Sequence, residues 1–496
     1  MTTPVQAASG TLREPAGDDL AALRATPVWS DAAVAGAGLR IQDVPFVTIG
    51  GGLASFALVG CLRNCGVPAG EIRVVSPQPQ AYENFYHLMR RSQIRETDPL
   101  RSDSMSRVDN IWGFPSYAIE RSMARRSLGP MWNVLTEPVA TEVFNPTGSE
   151  VFRGIDREAV RIGWPSMLLA GRGLLVRKRE DGGYFCLVCP VDGSPAVALR
   201  SQFVHLGTGY PAVNYPREVS DYRMRHHDYF RVVNAYEPHE HVYQVLRRRA
   251  GTVVLRGSGI TAARVLERLF DDRESSGRDV QILHLFRTYV AGPQGPPMFR
   301  RPGGHGWSYQ PYSFPKAAGA GQLRKRMLGM DNAKRAEYIA SISGTTSAKR
   351  RVWQRQLDHG RAGGYYRAYP GDIRDMTPTG HGTVELRIDV DALPGDSRME
   401  ADFVLDCTGL KLVLRENPLL SDLLDNGGAT QNPLGGLDVG HHFEARGAEQ
   451  PPGQMYASGV ITRGGYLAPV DSFWGFSHAA LLICDDLARR GFCGRL

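Results

Sequence analysis

The chain has 496 residues, of which 42% are hydrophobic and 22% are charged, and its formal net charge is +7. This length predicts two to four domains, because one domain usually takes about 100 to 200 residues. An ordinary composition with 56 glycines excludes a disordered or fibrous protein. The basic clusters lack the aromatic spacing of nucleic-acid motifs, so we interpret them as solvated surface and predict no nucleic-acid partner.

The cysteines and the first residues indicate a cytoplasmic protein. Seven cysteines, an odd number, argue against a disulfide framework, and the start Met1–Pro4 lacks the basic and apolar regions of a secretory signal. Residues 1–40 show no sustained periodicity and are predicted to form a flexible extension. The uncharged segment Val44–Leu62 is almost long enough to cross a bilayer, but glycines and a proline interrupt it, so no membrane association is predicted.

A strand, a glycine-rich turn and a helix follow this extension. The run Val44–Ile49 is apolar and β-branched, as expected of a buried parallel strand, and Leu53–Asn64 has the pattern of a helix after Gly50–Gly52. The next strand is predicted at Glu71–Ser76. This order is typical of a βαβ unit.

The same order returns in the second half of the chain. A strand at Thr252–Leu255 precedes the turn Gly257–Gly259, the helical stretch Ile260–Phe270 and the strand Val280–Phe286. We therefore predict an α/β protein with two Rossmann-like dinucleotide-binding domains.

Other elements are predicted between and after these two units. Short antiparallel strands at Gly173–Lys178, Gly183–Val188 and Phe203–Leu206 predict a β-meander inserted in the first domain. Gln322–Asp358 has a basic, helical pattern and belongs to a loop and helical insert at about residues 290–375. The predicted limits are 1–40 for the extension, 41–215 and 400–496 for a discontinuous first domain, and 216–399 for the second domain.

The glycine turns indicate phosphate binding. In the pattern G-x-G-x-x-(G/A/S), glycines permit a tight turn and a close approach of the backbone to a pyrophosphate, while the helix N-terminus supplies N–H donors. The residues that fit this pattern are Gly50, Gly51, Gly52 and Ser55 in the first copy, and Gly257, Ser258, Gly259 and Ala262 in the second.

The ends of the second strands predict how each site recognises a ribose. Ser76 stands where an acidic residue often binds the adenosine ribose, and its hydroxyl can still form a hydrogen bond there. In the second copy Arg287 follows His284–Phe286 with no carboxylate beside it, which favours the 2′-phosphate of NADPH over NADH. A surface arginine is the alternative interpretation of Arg287.

With both glycine turns in place, the chain resembles the class B flavin monooxygenases from about residue 44 to residue 488. Phe203–Pro211, with Gly209, is similar to that family's crossover out of the FAD domain, and Phe403–Gly409 is similar to the crossover back. Tyr456–Gly459 resembles the strand beneath the flavin, and the segment that begins at Asp471 resembles the helix that faces the flavin ring. This resemblance implies that the first site binds FAD, with Gly209, Gly409, Gly459 and Asp471 among the cofactor-binding residues.

A further local similarity concerns catalysis. Arg101 and Asp103 resemble the R-x-D segment of Baeyer–Villiger monooxygenases, which lies beside the flavin edge where oxygen is activated. The resemblance implies an NADPH-driven monooxygenase that acts through a flavin C4a-(hydro)peroxide, with Arg101 and Asp103 as catalytic residues. Its partners would be dioxygen and a small organic substrate of the kind found in natural-product pathways, and a homodimer is left open.

Two alternatives to this function stay open. Tyr222–His227 lacks the glycine of the family fingerprint F-x-G-x-x-x-H-x-x-x-W/Y, which keeps a flavin-dependent NAD(P)H reductase or dehydrogenase as the alternative enzyme. A catalytically idle nucleotide-binding scaffold is the second alternative. Neither Cys186–Cys189, with its C-x-x-C spacing, nor the histidines, which lack metal-ligand spacing, favour a dithiol or metal site, so no metal is predicted.

Overall fold

The computed structural model describes residues 18–100, 116–140, 144–286, 322–342, 351–390 and 397–495. The helices of these ranges are α1 (Asp18–Arg24), α2 (Asp31–Gly36), α3 (Leu53–Asn64), α4 (Glu83–Arg91), α5 (Ser116–Arg125), α6 (Gly129–Ala140), α7 (Gly148–Ile162), α8 (Trp164–Met167), α9 (Arg217–His226), α10 (Glu240–Arg248), α11 (Ile260–Ser276), α12 (Gln322–Leu328), α13 (Asn332–Ile342), α14 (Arg351–Ala362), α15 (Pro418–Asn426) and α16 (Phe473–Arg489). The strands are β1 (Val28–Trp29), β2 (Arg40–Asp43), β3 (Phe46–Ile49), β4 (Ile72–Ser76), β5 (Leu168–Arg179), β6 (Tyr184–Pro190), β7 (Val197–Ser201), β8 (Phe203–Leu206), β9 (Ala212–Val213), β10 (Val232–Asn234), β11 (Gly251–Arg256), β12 (Val280–Phe286), β13 (Tyr366–Pro378), β14 (Val384–Val390), β15 (Ser397–Ala401), β16 (Phe403–Asp406), β17 (Leu410–Lys411) and β18 (Gln454–Ala457).

The first sheet is parallel at its centre. Its strands lie in the order β18, β8, β3, β4 and β5, and β3 is buried along its whole length. A continuous apolar run is what such a strand needs, because helices cover both faces of a parallel sheet. Helix α3 follows β3 and packs against α16, with its first ten residues buried. The first predicted βαβ unit is confirmed.

An antiparallel meander continues this sheet. Strand β5 begins beside β4 and then pairs with β6, which pairs with β7. The inserted meander was predicted correctly, but its third strand was wrong: Val197–Ser201 completes the meander, whereas Phe203–Leu206 is the central strand β8, parallel to β3. All four residues of β8 are buried, which fits a strand covered on both faces.

The N-terminal segment is more ordered than predicted. Strand β1 pairs with β5 and β2 pairs with β7, so these two strands extend the meander. Trp29 is fully buried and its indole N–H donates to the carbonyl of Leu23 at 2.8 Å. The prediction of a loosely held extension was therefore wrong for residues 18–40, and residues 1–17 lie outside the described ranges.

The second sheet has the strand order β10, β16, β11, β12, β13, β14 and β15, and it is parallel from β10 to β13. Alternate residues of β11 enter separate buried clusters, which places one apolar core on each face of the sheet. The unit β11–α11–β12 confirms the second predicted βαβ unit. No helix of the described ranges is long and apolar enough to cross a membrane.

The chain passes between the two sheets twice, and the two crossovers touch each other. Strand β9, after β8, pairs with β17, after β16. Strand β16 pairs with β10 and β11, so the second sheet reaches Asp406, beyond the predicted limit at residue 399.

The helices α12 and α13 fall inside the stretch that was predicted to be helical and dock on the first sheet's C-terminal segment. There the buried Arg335 donates to the carbonyl oxygen of Gly464 at 3.0 Å, and its guanidinium lies 3.9 Å from the ring centre of Tyr466.

Candidate functional site

The first glycine turn connects β3 to α3. Gly50 has a φ of +96°, a conformation that strains residues with a side chain, and a Cβ on it would lie 2.4 Å from the carbonyl oxygen of Gly207. A Cβ on Gly51 would lie 2.5 Å from the Cβ of Ser76, at the end of β4. Packing against two neighbouring strand ends therefore requires glycine at both positions.

Gly52 is the N-cap of α3 and faces open space. Its φ is −78°, no side chain caps the helix, and the nearest atom to a Cβ placed on it is the carbonyl oxygen of Gly207 at 3.9 Å. The first turn of α3 thus presents backbone N–H groups and the positive end of the helix dipole to an open space. Such an end is suited to bind a phosphate group.

Ser55 joins a buried chain of hydrogen bonds behind this turn. The Thr48 hydroxyl donates to Ser55 at 3.0 Å and lies 2.8 Å from Nδ1 of His205, whose Nε2 lies 2.8 Å from the hydroxyl of Ser458. Burial lowers the pKa of His205 to about 3, so the imidazole is neutral. These hydrogen bonds connect α3, β3, β8 and the end of β18, and they fix the turn relative to both neighbouring strands.

Ser76 ends β4 and is almost fully buried. Its hydroxyl donates to the carbonyl of Gln78 at 3.0 Å and accepts from the N–H of the same residue at 3.1 Å. A hydroxyl oxygen has two lone pairs, so one acceptor position is left. The predicted contact with a ribose stays a prediction, in which Ser76 would accept the hydrogen bond.

The segment after β8 forms a second wall of the open space at the N-terminus of α3. Thr208 has a buried hydroxyl oxygen with no hydrogen-bond partner among the described residues. Gly209 follows with a φ of +76°, and the hydroxyl of Tyr210 donates to Asp471 at 2.9 Å. Burial and the Asp471 carboxylate raise the pKa of Tyr210. An unpaired hydroxyl beside an uncapped helix is a further group that a ligand could satisfy.

The C-terminal part of the chain forms the third wall of this open space. Gly459, after β18, has a φ of +78°, and a Cβ on it would lie 3.5 Å from the Cβ of Ala54 in the first turn of α3. Asp471 stands just before Ser472, whose hydroxyl caps α16. The structure thus brings together most of the residues predicted for the first site: Gly50, Gly51, Gly52, Ser55, Ser76, Gly209, Gly459 and Asp471.

The second turn repeats this construction. Gly257 has a φ of +123°, and a Cβ on it would lie 2.5 Å from the carbonyl oxygen of Cys407. Gly259 is the N-cap of α11 with no capping side chain and nothing within 4 Å of a Cβ placed on it, while Ser258 lies between these glycines. Ala262 is fully buried, as a small third residue of the pattern should be.

Buried polar groups hold the second turn and the crossover behind it. Nε2 of His284, on β12, lies 2.5 Å from the carbonyl oxygen of Gly257, and burial lowers the pKa of this histidine to about 4. Asp406 accepts from Asn234 at 2.8 Å and from the Thr408 N–H at 3.1 Å. Burial raises the pKa of Asp406 to about 6. Gly409 then ends the crossover with a φ of +106°.

Three predicted residues lie outside the described ranges. They are Arg101 and Asp103, predicted beside the flavin, and Arg287, predicted at the 2′-phosphate. Their roles stay predictions.

Four of the cysteines lie apart from the two turns. Cys186 and Cys189 are buried on β6, within the meander, and burial raises the pKa of Cys186. Cys61, on α3, and Cys65, which caps the C-terminus of this helix, are both buried free thiols. Nothing in this arrangement brings a pair of thiols to the end of β3 or β11 in the described part of the chain.

One described group has the spacing of metal ligands, namely His442, Glu444 and Asp486. Asp486 already accepts hydrogen bonds from Tyr456 at 2.7 Å and from Arg490 at 2.7 Å. The Asp486 carboxylate is therefore already engaged by protein donors.

Sequence reasoning missed several residues of both sites. Gly207 and Cys407 form the wall behind each first glycine, and the repeated pattern x-Thr-Gly after β8 and β16 was the signal that could have identified them. His205 and His284 were missed because no local pattern shows that a polar residue within an apolar strand will be buried and paired.

Solved structures match nearly the whole chain, although no protein-family model and no curated protein matches its sequence. The ornithine hydroxylase of Pseudomonas aeruginosa is 15% identical, with a TM-score of 0.65 over 90% of this chain and 100% of that one. The FAD-bound cadaverine monooxygenase of the desferrioxamine pathway of Erwinia amylovora is 16% identical, with a TM-score of 0.67 over 92% of this chain and 96% of that one.

A bacillithiol disulfide reductase of Bacillus cereus also matches, at 13% identity and a TM-score of 0.53 over 90% of this chain and 100% of that one. The higher TM-scores belong to the two oxygenating enzymes. The chain therefore has the fold of the ornithine hydroxylase and the cadaverine monooxygenase, as the resemblance to class B flavin monooxygenases predicted.

Proposed function

We propose that this protein is an FAD-dependent monooxygenase that uses NADPH and dioxygen to oxidise a small organic substrate. One observation carries the proposal: a single chain holds two strand–turn–helix units of the same construction, each ending in an open, uncapped helix N-terminus at Gly52 or Gly259. Two such ends suit two dinucleotides, because each presents N–H donors and a positive dipole to a pyrophosphate.

The first site fits FAD. Gly52 leaves room for the pyrophosphate, Thr208 offers a buried hydroxyl without a partner in the described part of the chain, and Ser76 keeps one acceptor position for a ribose. Other residues of this site lie around the same turn, and they are Gly50, Gly51, Ser55, Gly209, Gly459 and Asp471. The second site fits a nicotinamide cofactor, for which we propose Gly257, Ser258, Gly259, Ala262 and Gly409 as binding residues and Arg287 as the contact to the 2′-phosphate of NADPH.

Bound FAD would supply the redox chemistry by taking a hydride from NADPH and reducing dioxygen. The chain's own residues position this chemistry. The neutral His205 holds the first turn against two strands, and His284 holds the carbonyl of Gly257 in the second. Arg101 and Asp103 are the residues that we propose to act beside the flavin, by orienting a cation or donating and accepting hydrogen bonds at the reacting oxygen.

Two observations favour a monooxygenase over a reductase. The TM-scores are higher for the hydroxylase and the monooxygenase than for the disulfide reductase. In addition, the C-x-x-C pair of this chain is buried on β6 and has a thiol whose pKa is raised, which does not suit a dithiol that exchanges with a substrate.

The test begins with the purified chain loaded with FAD. We expect NADPH to bleach the flavin without oxygen, and the reduced enzyme to convert an amine to its hydroxylated product when oxygen is then admitted and the flavin reoxidises, with ornithine and cadaverine as the first compounds tested. Bleaching followed by stoichiometric hydrogen peroxide alone, with every amine, would support the reductase or an oxidase. Absence of bleaching would contradict both enzymes and support the idle scaffold.

We also propose a cytoplasmic location, which suits seven cysteines that are all free thiols. A homodimer is proposed as the assembly to test, and light scattering of the FAD-loaded protein measures it.

A further inference from the structure

Four of the seven cysteines lie where α3 ends and where the chain leaves α16. Cys61 is in the last turn of α3, and Cys65 caps that helix and donates its backbone N–H to the carbonyl oxygen of Cys61 at 2.9 Å. Cys484 lies on α16, which packs against α3, and Cys493 comes four residues after the end of α16. Two segments from opposite ends of the chain thus bring thiols to one region.

Two contacts join these segments. The N–H of Gly494 donates to the carbonyl oxygen of Cys65 at 2.9 Å, and Sγ of Cys493 lies 3.7 Å from the carbonyl oxygen of Cys484. The Cα atoms of Cys65 and Cys493 are each two bonds from an end of the first hydrogen bond. Their separation is therefore on the order of the 4.4 to 6.8 Å that a disulfide spans.

The turn after α16 holds Cys493 in this position. The N–H of Phe492 donates to the carbonyl oxygen of Leu487, inside α16, at 2.9 Å. The ring centre of Phe492 lies 5.9 Å from that of Phe46 and 5.0 Å from that of Phe203, at the starts of β3 and β8. Cys493 follows this anchored ring directly, so its backbone cannot move away from α3 unless the aromatic packing is lost.

The two neighbouring thiols differ in exposure and in acidity. Cys493 is partly exposed, whereas the other six cysteines, all within the described ranges, are buried. Hydrogen bonds from neighbouring thiols, that of Cys484 first, lower the pKa of Cys65. The hydrogen bond to Cys65 raises the pKa of Cys493. Because the thiolate is the form of cysteine that attacks an oxidant, one sulfur of the pair is activated and the other is accessible.

We propose that Cys65 and Cys493 form a reversible disulfide when hydrogen peroxide is present. The Cys65 thiolate attacks the peroxide, so that an S–O bond forms, the O–O bond breaks and hydroxide leaves. This hydroxide takes up the proton that Cys65 released on ionising. The Cys493 sulfur then attacks the Cys65 sulfur, an S–S bond replaces the S–O bond, and the departing hydroxide takes the Cys493 proton. Two thiols lose two electrons, and one peroxide becomes two waters.

This disulfide is distinct from a dithiol that exchanges electrons with a flavin. Helix α3 has 12 residues, so Cys65 lies on the order of 18 Å from the glycine turn at the other end of the helix. The pair is therefore a modification site that tethers the end of the chain to α3. It is independent of the proposed function, because no cofactor takes part.

The test treats the purified full-length protein with a few equivalents of hydrogen peroxide, blocks the remaining thiols by alkylation and digests with trypsin. Cleavage after arginine places each of the four cysteines in a separate peptide. We expect mass spectrometry to find residues 64–73 linked to residues 491–495, and dithiothreitol to separate them. The oxidised, denatured protein should have two free thiols fewer than the seven of the reduced chain.

Variants identify the two sulfurs. Cys493→Ser should stop the reaction at the sulfenic acid of Cys65, which dimedone captures. Cys484→Ala is the matched control, because it removes a neighbouring thiol and keeps the backbone carbonyl that Cys493 contacts. It should give the same linked peptide more slowly, because the Cys484 thiol helps to lower the pKa of Cys65.

Three results would overturn the proposal. Residues 464–489 linked to 491–495 would pair Cys493 with Cys484 instead. Retention of all seven thiols after peroxide treatment would show that the pair does not oxidise. A mixture of unlabelled protein and protein labelled with heavy nitrogen gives the third result: linked peptides that combine both labels would show that the disulfide forms between molecules.

Discussion

The carbonyl oxygen of Gly207 lies where a side chain on Gly50 would begin, since a Cβ on Gly50 would be 2.4 Å from it. Gly257 has the same relationship to Cys407, at 2.5 Å. In both units the crossover that leaves the neighbouring strand excludes a side chain from the first glycine. The first glycine of each turn is therefore a packing requirement, whereas the open N-cap glycines, Gly52 and Gly259, are the ones available to a ligand.

The first prediction separates FAD binding from folding. Gly52→Glu should fold, because φ is negative and no atom lies nearer than 3.9 Å to the new Cβ. A carboxylate about 4 Å from the pyrophosphate should cost about 4 kcal/mol, or roughly a thousandfold in FAD affinity. The purified variant should therefore be colourless. Absorbance at the flavin bands, together with the melting temperature of the FAD-free protein, measures both effects.

The control for this variant is Gly70→Glu, which introduces the same charge at an exposed glycine with nothing within 4 Å of its Cβ. It should stay yellow. If Gly52→Glu retains full flavin content, FAD does not bind at this turn.

The second prediction applies the same logic to the second turn. Gly259→Glu, with nothing within 4 Å of the new Cβ, should fold and bind FAD normally but lose NADPH binding by roughly a thousandfold. Anaerobic stopped-flow bleaching at several NADPH concentrations measures this loss. Gly380→Glu, at an exposed and open glycine, is the control and should bleach like the wild type. Normal bleaching of Gly259→Glu would place NADPH elsewhere.

The sequence predicted the parts of the fold that depend on local patterns. Leu53–Asn64 and Val280–Phe286 have the predicted bounds, because apolar runs next to glycine turns are a local signal. The two-residue strand Val28–Trp29 was missed, since it has no periodicity of its own and exists through pairing with β5. Phe203–Leu206 was assigned to the meander because it is the next short apolar run after Gly183–Val188, and its choice of partners is a tertiary property.

In the candidate sites too, only the residues with a local sequence pattern could be predicted. The glycines could be predicted, because turns need them, but the residues that complete each site could not. Thr208 matters through a buried hydroxyl oxygen that has no hydrogen-bond partner among the described residues, and burial is decided by segments distant in sequence.

The third prediction concerns pH and His205. Folding lowers the pKa of this buried imidazole from 6.5 to about 3, so between these values the unfolded chain binds a proton that the folded chain does not. The free energy of unfolding should therefore fall as the pH decreases through this window, by about 1.4 kcal/mol per pH unit for this one group. From pH 7 to pH 5 the loss attributable to His205 should be about 2 kcal/mol.

His205→Gln tests this assignment. It should be about 1 to 3 kcal/mol less stable at pH 7, because the hydrogen bonds to Thr48 and Ser458 are imperfectly replaced. It should also lose about 2 kcal/mol less than the wild type between pH 7 and pH 5, because glutamine does not titrate. Urea unfolding at the two pH values measures both quantities, and an identical pH dependence of the two proteins would contradict the assignment.

The fourth prediction concerns cofactor choice. Arg287→Ala should weaken NADPH binding by about 1.5 to 3 kcal/mol, roughly ten- to a hundredfold, because one guanidinium–phosphate contact is lost. NADH has no 2′-phosphate, so its affinity should change little. Titration of the FAD-loaded variant with each cofactor measures the ratio. An equal loss for both cofactors would show that Arg287 does not contact the 2′-phosphate.

The last prediction tests oxygenation itself through Asp103. If Asp103 and Arg101 act beside the flavin, the carboxylate is needed after reduction, and Asp103→Ala should bleach with NADPH at a rate within a few-fold of the wild type. Product formation should fall by about a hundredfold or more, the effect expected when one preorganised electrostatic group is removed from a reacting centre. Hydrogen peroxide should then account for the missing electrons.

Asp98→Ala is the comparison variant, because this nearby carboxylate forms ion pairs with Arg95 and Arg264 at 3.3 Å each. It should alter stability and leave the ratio of product to peroxide unchanged. Unchanged coupling in a folded Asp103→Ala would remove the catalytic role of this residue and favour the reductase.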